Sequence, residues 1–440
     1  MEISSPTRVR WLLVFWIALT GAVSYLDRVN LSVAGHLIAQ EFHLDNPELG
    51  LVFGAFPLGY ALLQIPGGWL ADRFGPRRVL ALGGVWWAVF TALTGAVPAG
   101  IVAALAVFWT VRFLLGVGEA VMYPSSNRWV TNWIPTAERG AANGIIFAGV
   151  GAGSALAPPL IAAVMTHYGW RESFWMCAGL GLAVGATWYA LSRDFPSDHR
   201  GVNAEELELI RSGIQDSEGE QDLRVPWRVI LSSREVWGIT LSYFTYGYAT
   251  WIFFAWFFIY LTTVRGVSVE RGSFYTMLPL AAMSVFSALG GFVSDAVCRR
   301  FGRRWGRCGV AAMGLGMAAV LLAVGAVMAN PAAVAIVMAA ACGSIYLSQS
   351  AYWALAADLG GPSSGQLSGF INMGAQIGAA LTAVLTPVIA LTLGWMASFF
   401  AAAGLLAFGA AAWLTVDPNR RLERQPRPAI PASPAAGALL

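Results

Sequence analysis

Long apolar stretches alternate with short polar breaks along most of the chain, and the breaks are marked by Gly, Pro or clusters of arginine. A bilayer core about 30 Å thick takes about 20 apolar residues per spanning helix. Stretches of that length fall near residues 11 to 38, 48 to 71, 79 to 97, 103 to 132, 140 to 165 and 173 to 192. After a polar gap, six more lie near 236 to 263, 272 to 296, 309 to 328, 332 to 357, 366 to 391 and 397 to 416. The pattern predicts an all-α membrane protein with twelve transmembrane helices. Residues 1–192 form one six-helix bundle and 236–416 a second. Between them, 193–235 is a polar central loop carrying one amphipathic surface helix, and the Pro-rich tail 417–440 reads as disordered.

Composition agrees with that division. Of 440 residues, 57% are hydrophobic and 12% charged, with a mean hydropathy of +0.62, well beyond a soluble domain. All 27 basic side chains are arginine. Without lysine there is neither a phosphate-cradling P-loop nor a Schiff-base site, so a built-in ATPase and that class of enzyme are excluded. Cys177, Cys298, Cys308 and Cys342 have no metal spacing and read as packing thiols. His36, His43, His167 and His199 sit at predicted helix ends or loops without ligand spacing, so no metal or cofactor is expected. The first apolar run carries Asp27 and Arg28 and lacks a small-residue cleavage site, so it reads as helix one rather than a signal peptide.

The arginines sort by side. Arg8, Arg10, Arg73, Arg77, Arg78, Arg139, the six of the central gap, Arg299, Arg300, Arg303, Arg304, Arg307 and four in the tail share one face; only Arg171, Arg265 and Arg271 oppose them. Positive-inside sorting then puts both termini and the central loop in the cytoplasm. The halves also repeat. Gly68-Trp69-Leu70-Ala71-Asp72-Arg73-Phe74-Gly75-Pro76-Arg77-Arg78 follows helix two, and Gly291-Phe292-Val293-Ser294-Asp295, then Arg299-Arg300-Phe301-Gly302-Arg303-Arg304, follows helix eight. Two repeated bundles facing a midplane site are the plan of rocking transporters.

These loops resemble the signature of the major facilitator superfamily, a resemblance that covers essentially the whole chain. Tyr25-Leu26-Asp27-Arg28-Val29-Asn30-Leu31 in helix one, and Arg112-Phe113-Leu114-Leu115-Gly116-Val117-Gly118-Glu119-Ala120 running to Pro124 and Asn127-Arg128 in helix four, look like its anion:cation symporter branch. That branch includes bacterial galactonate, hexuronate and aromatic-acid carriers and animal sialic acid and vesicular glutamate carriers. The resemblance implies a proton-coupled symporter that imports an organic anion, such as a sugar acid or another carboxylate, across a bacterial inner membrane. Its expected partners are that small anion, protons and the lipid bilayer, with no nucleic acid, and the protein is expected to be a monomer. An aromatic-acid carrier of the same branch, or an exporter or exchanger of amphipathic compounds, is the alternative.

Charges inside spanning helices are costly and normally face a cavity or a partner. Five qualify, Asp27, Arg28, Arg112, Glu119 and Arg128, all in the first half. Adjacent Asp27 and Arg28 are rotated by about 100° around their helix, so one can face helix four and the other substrate. Arg112 and Glu119 are seven apart, on one face. A desolvated carboxylate binds its proton more tightly and a nearby arginine loosens it again, so a moving arginine can switch proton affinity. The branch's pattern implies proton-coupling roles for Asp27, Glu119 and Arg112, and an anion contact for Arg28. A static pair of Asp27 with Arg112, and a second ion pair for Arg28, are the structural alternatives.

Asp72, Arg73, Arg128 and Asp295 should lie at helix ends on the cytoplasmic side, as a gate between the bundles or as topology anchors. Tyr25, Tyr60, Tyr243, Ser350, Tyr352, Trp353 and Asn372 are candidate substrate contacts, Asn372 matching a branch position that meets the anion's carboxylate. Helix seven is crowded with Tyr243, Tyr246, Tyr248, Trp251, Trp256 and Tyr260, part of which should face lipid. Two glutamines and a threonine that serve sugar-acid hydroxyls in galactonate-type members align with Val150, Tyr243 and Tyr352. Fewer amides favour a less hydroxylated or aromatic acid.

Overall fold

The loops carry the signals that start the helices. Asp45 accepts the Glu48 backbone N–H at 2.8 Å while Glu48 accepts that of Asp45 at 2.9 Å, a reciprocal cap that satisfies two of the first turn's free donors. Asn330 caps another helix through the N–H groups of Ala332 and Ala333, with Pro331 next in line. Gly75, at φ 86°, turns the chain between two helices, and the following turn is capped by Asp194 Oδ1, 2.9 Å from the Arg77 nitrogen.

The structure is a computed structural model that describes residues 5–135, 138–214, 225–360, 364–420 and 422. The first half contains α1 (Val9–Phe42), α2 (Asn46–Phe74), α3 (Pro76–Gly95), α4 (Ala104–Trp133), α5 (Arg139–Tyr168) and α6 (Trp170–Leu191). The second contains α7 (Arg234–Ala255 continuing as Phe257–Val264), α8 (Val269–Phe301), α9 (Arg304–Val327), α10 (Pro331–Gly360), α11 (Ser364–Leu393) and α12 (Trp395–Leu414). Ten helices are long and apolar enough to span a bilayer as they stand; counting as one span each of two bent pairs, α2 with 54° at Ile65 and α7 with 48° at Trp256, makes twelve.

Pairing repeats between the halves. α1 packs on α5 as α7 packs on α11, α2 on α4 as α8 on α10, and α3 on α6 as α9 on α12. The halves meet chiefly through α2 against α11 and α5 against α8. Corresponding helices are interrupted: α4 breaks at Ala120–Val121, and α10 at Ser348, whose hydroxyl donates to Ile345 O at 2.6 Å.

Away from the arginine-rich loops the halves close on one another. A Cβ on Gly50 would sit 2.5 Å from Ala383 O and one on Gly54 3.1 Å from Ala380 O, so α2 and α11 touch backbone to backbone. Ser32 Oγ donates to Ala255 O at 3.1 Å, and the Phe53 and Trp256 rings lie 5.1 Å apart. Among the described residues, no ion pair seen runs from a helix of one half to a helix of the other.

The central loop holds the expected surface helix, Ala204–Ser212, and it is docked rather than loose. Glu206, fully buried, accepts from Thr7 Oγ1 at 2.6 Å, from the Val9 and Arg10 nitrogens at 3.2 and 3.3 Å, and from Arg10 Nη1 at 2.9 Å. It thereby caps α1. Arg10 reaches on to Glu138 at 3.1 Å. The tail differs from expectation at its start: Arg420 pairs with Glu235 at 2.9 Å and the Leu422 nitrogen donates to Leu359 O at 3.0 Å. The remaining tail expected to be disordered lies outside the described residues. The α7 aromatics also differ. Tyr243, Tyr246, Tyr248, Trp256 and Tyr260 are buried in the bundle and only Trp251 is partly exposed, because α7 is enclosed by α11, α12 and α1.

Candidate functional site

Helical spacing builds the first-half site. Ser24 and Arg28 lie four residues apart on α1, as Phe56 and Tyr60 do on α2, so each pair shares a face. Glu119 ends the first segment of α4. These elements approach closely because Gly116 lets α4 lie against the Phe56 and Tyr60 backbone, where a side chain would clash.

Glu119 Oε1 accepts a hydrogen bond from Ser24 Oγ and one from Arg28 Nε at 2.8 Å, with Nη2 of the same arginine 2.7 Å away. The Arg28 guanidinium is caged by rings, its central carbon 4.3 Å from the Tyr25 centroid, 4.9 Å from Phe56 and 5.0 Å from Tyr60. Such contacts favour a cation most when it is withdrawn from water. Two turns back along α4, Arg112 Nη1 stands 3.8 Å from Asp27 Oδ2, too far for a hydrogen bond. Asp27 is fully buried and neither of its oxygens has a hydrogen-bond partner among the described residues; Arg112 Nε and Nη1 and Glu119 Oε2 are equally unmatched. One pair is tight and the other loose. The arginine against Glu119 is therefore Arg28, from α1, while Arg112 stands by Asp27.

A narrow cavity beside these pairs is lined by Arg28, Leu31, Ser32, Phe53, Phe56, Arg112, Trp251, Phe254 and Ala255. Its far wall comes from α7. Trp251 stacks on Phe56 with centroids 6.2 Å apart and 4° between planes, and Phe254 meets Tyr25 edge-on at 5.9 Å. Behind Asp27, Asn30 accepts from Ser173 Oγ at 2.8 Å and donates to Cys177 Sγ at 3.5 Å, which ties α1 to α6.

The other second-half candidates form a separate cluster. Tyr243 packs on Tyr352 at 4.4 Å, on Tyr246 at 4.8 Å and on Trp353 at 6.2 Å. The Tyr352 hydroxyl is engaged by Ser242 at 2.7 Å. Ser350 Oγ and Gln376 Oε1 are buried and unmatched, and Asn372 is half-buried. Of the expected contacts, the structure thus brings Tyr25 and Tyr60 to Arg28, and groups Tyr243, Tyr352 and Trp353 apart. Sequence reasoning passed over Ser24, Phe56 and Phe254. The one-turn spacing from Ser24 to Arg28, and from Phe56 to Tyr60, was the available signal.

At the arginine-rich end Asp72 and Arg128 pair at 3.3 Å with both side chains about half exposed. Asp295 pairs with Arg307 at 2.8 Å. Arg73 lies over Trp69 at 5.6 Å and Phe74 at 5.8 Å. Each pair stays within its own half, and the first turn of α3 is capped by Asp194.

Comparison with known proteins follows the same lines. A family model described as Major Facilitator Superfamily matches residues 17–373. The chain is 34% identical over 398 residues to a probable sulfoacetate transporter of Cupriavidus necator, covering 90% of this chain and 91% of the relative. It is 33% identical over 315 residues to a probable galactarate/D-glucarate transporter of Escherichia coli, covering 68% and 69%. A hexuronate transporter of Bacillus subtilis is 29% identical over 363 residues, covering 82% and 83%. Among solved structures, a bacterial homolog of the human lysosomal transporter Spinster in an inward-facing conformation superposes with a TM-score of 0.73 at 19% identity, covering 93% of this chain and 97% of that one. A D-xylose-proton symporter gives 0.73 at 16%, covering 93% and 98%. Twelve helices in two matching bundles, and relatives that are all transporters, leave no place for an enzyme: this chain belongs to the major facilitator superfamily, among its anion transporters.

Proposed function

We propose that the protein is a proton-coupled symporter that imports a small organic anion across a bacterial inner membrane by alternating access, its termini and central loop in the cytoplasm. The observation that carries this reading is the Arg28 guanidinium, buried, caged by three rings and held by one carboxylate, Glu119. A substrate carboxylate or sulfonate offers Arg28 the same acceptors as Glu119 does. When it takes that place, Glu119 keeps only the Ser24 hydroxyl, and a buried carboxylate without its cation takes up a proton rather than remain charged. Anion and proton then load together. The loose Asp27–Arg112 pair supplies a second carboxylate that can exchange a proton without breaking a strong bond. The anion carriers among the relatives support the substrate class.

In the same reading, Asp72–Arg128 and Asp295–Arg307 serve as the cytoplasmic gate. Exposed here, they would face one another and the opposite bundle's loops when that end closes and the glycine-lined seal between α2 and α11 opens.

The test uses proteoliposomes. A thermal-shift screen of sugar acids, aromatic acids and short dicarboxylates and sulfonates first identifies a ligand, because binding to the native state raises the melting temperature. Asp27→Asn and Glu119→Gln are expected to abolish accumulation driven by a pH gradient, with counterflow of the labelled ligand surviving in at least one. Concentrative uptake retained in both variants would overturn the coupling assignment.

A further inference from the structure

The arginine-rich loop that repeats between the halves is engaged differently in each. In the first half Arg77 is turned onto the protein: Nε and Nη2 donate to Tyr189 O at 3.0 and 2.7 Å, and the guanidinium lies 4.2 Å from the Tyr189 ring centroid. In the second half Arg299, Arg300, Arg303 and Arg304 are all exposed, and none of them forms an ion pair among the described residues. Asp295 is taken by Arg307, and neither Asp358 nor Asp417 pairs with any of the four. Like charges this close repel one another, yet the turn that carries them is pinned. Gly302, at φ 84°, turns the chain. Ser294 Oγ donates to Gly306 O at 2.8 Å, and Arg307 Nη1 donates to Ser294 Oγ at 2.7 Å and to Asp295 Oδ1 at 2.8 Å.

We propose that the turn 299–304 is a docking site for the phosphate of an anionic phospholipid, in the leaflet at the arginine-rich end of the molecule. Rings stand beside the charges: Phe301 is 61% and Trp305 66% exposed, and the Arg300 guanidinium lies 5.5 Å from the Phe301 centroid. Depth fits as well. The 24 residues of α9, from Arg304 to Val327, make a helix about 36 Å long against an apolar core of about 30 Å. Its arginine-bearing start therefore reaches the headgroup layer, where tryptophan rings settle and anionic lipids attract basic segments. A guanidinium matches a phosphate through two parallel hydrogen bonds. A lipid fits better than a soluble anion because its acyl chains also cover Phe301 and Trp305. The site lies apart from the buried ion pairs and does not depend on which solute is carried.

The experiment titrates the full-length purified protein in detergent with dioleoyl phosphatidylglycerol or dioleoyl phosphatidylcholine and reads bound lipid by native mass spectrometry. A basic residue at the headgroup layer adds roughly fivefold, so two on one phosphate should give phosphatidylglycerol at least about tenfold tighter binding. Arg299→Gln, Arg300→Gln, Arg303→Gln and Arg304→Gln together should abolish that preference. Arg8→Gln, Arg78→Gln, Arg200→Gln and Arg228→Gln together remove the same charge from other exposed positions and should keep it. Photoactivatable phosphatidylglycerol on the wild-type protein should label residues 298–309, which decides the matter even where the first variant does not fold. The site is overturned by a wild type without preference, by equal loss in the two fourfold variants, or by label scattered over other loops. Displacement of the lipid by glycerol phosphate at equal concentration overturns the lipid assignment in favour of a free phosphate.

Discussion

Arg28 meets its surroundings in two ways, through charge with Glu119 and through shape with Tyr25, Phe56 and Tyr60, and a substitution can separate them. Arg28→Lys keeps the charge but loses the planar fork and the stacking face. We expect the protein to fold and its affinity for the anion to fall by roughly 10- to 100-fold, the weight of a charge-assisted hydrogen bond; a thermal-shift titration measures it. At this scale the sequence was legible in part. Asp27, Arg28, Arg112 and Glu119 stand out because an ionisable group inside an apolar run is expensive. Their partnering was not legible. Arg112 and Glu119 share a face of one helix, yet Glu119 is held by Arg28 from α1, because the side-chain reach between packed helices decides the pair. Phe56 and Phe254 escaped notice for the opposite reason: a ring in an apolar background carries no signal until something polar is found beside it.

Helices carry a second set of expectations. The surface helix Ala204–Ser212 was foreseen from its charges, but its anchoring was not, since nothing in Glu205-Glu206 tells which carboxylate turns inward. Glu206 turns in because α1 begins with free N–H groups and Arg10 close by. Without Glu206, Arg10 keeps only Glu138 and the α1 N–H groups lose their acceptor, each unmatched buried donor costing about 1–3 kcal/mol. Glu206→Ala should therefore lower the melting temperature by several degrees and expose the central loop to protease, with ligand affinity unchanged where the protein remains folded. The interruptions at Ala120–Val121 and Ser348 were equally hidden, as neither holds a proline. They fall at matching places in α4 and α10, next to Glu119 on one side and to Ser350 and Tyr352 on the other.

For the molecule as a whole, the six-plus-six plan was almost fully legible, because twelve apolar runs, one polar gap and a repeated arginine loop are properties of sequence alone. Boundaries shifted by a few residues where caps such as Asp45 and Asn330 start a helix earlier than its apolar run does. How the bundles meet was not legible, since glycines such as Gly50 and Gly54 read as ordinary small residues until α11 is placed against them. That contact is made of main-chain atoms, rings and one hydroxyl. Along the membrane-facing edge of that seam, lipid chains are as apolar as the surfaces they would replace, so close packing rather than a water-driven force holds that edge shut. Dissolved salt has nothing there to screen. The balance between the two openings of the carrier should then respond to the host membrane, shifting with acyl-chain length and lateral packing, while any response to ionic strength should come from the charged groups at the opposite end and not from this seam. Paired spin labels across the seam should report a change in distance between thin and thick bilayers, and none between low and high salt once Asp72→Asn and Asp295→Asn have removed the gate's carboxylates.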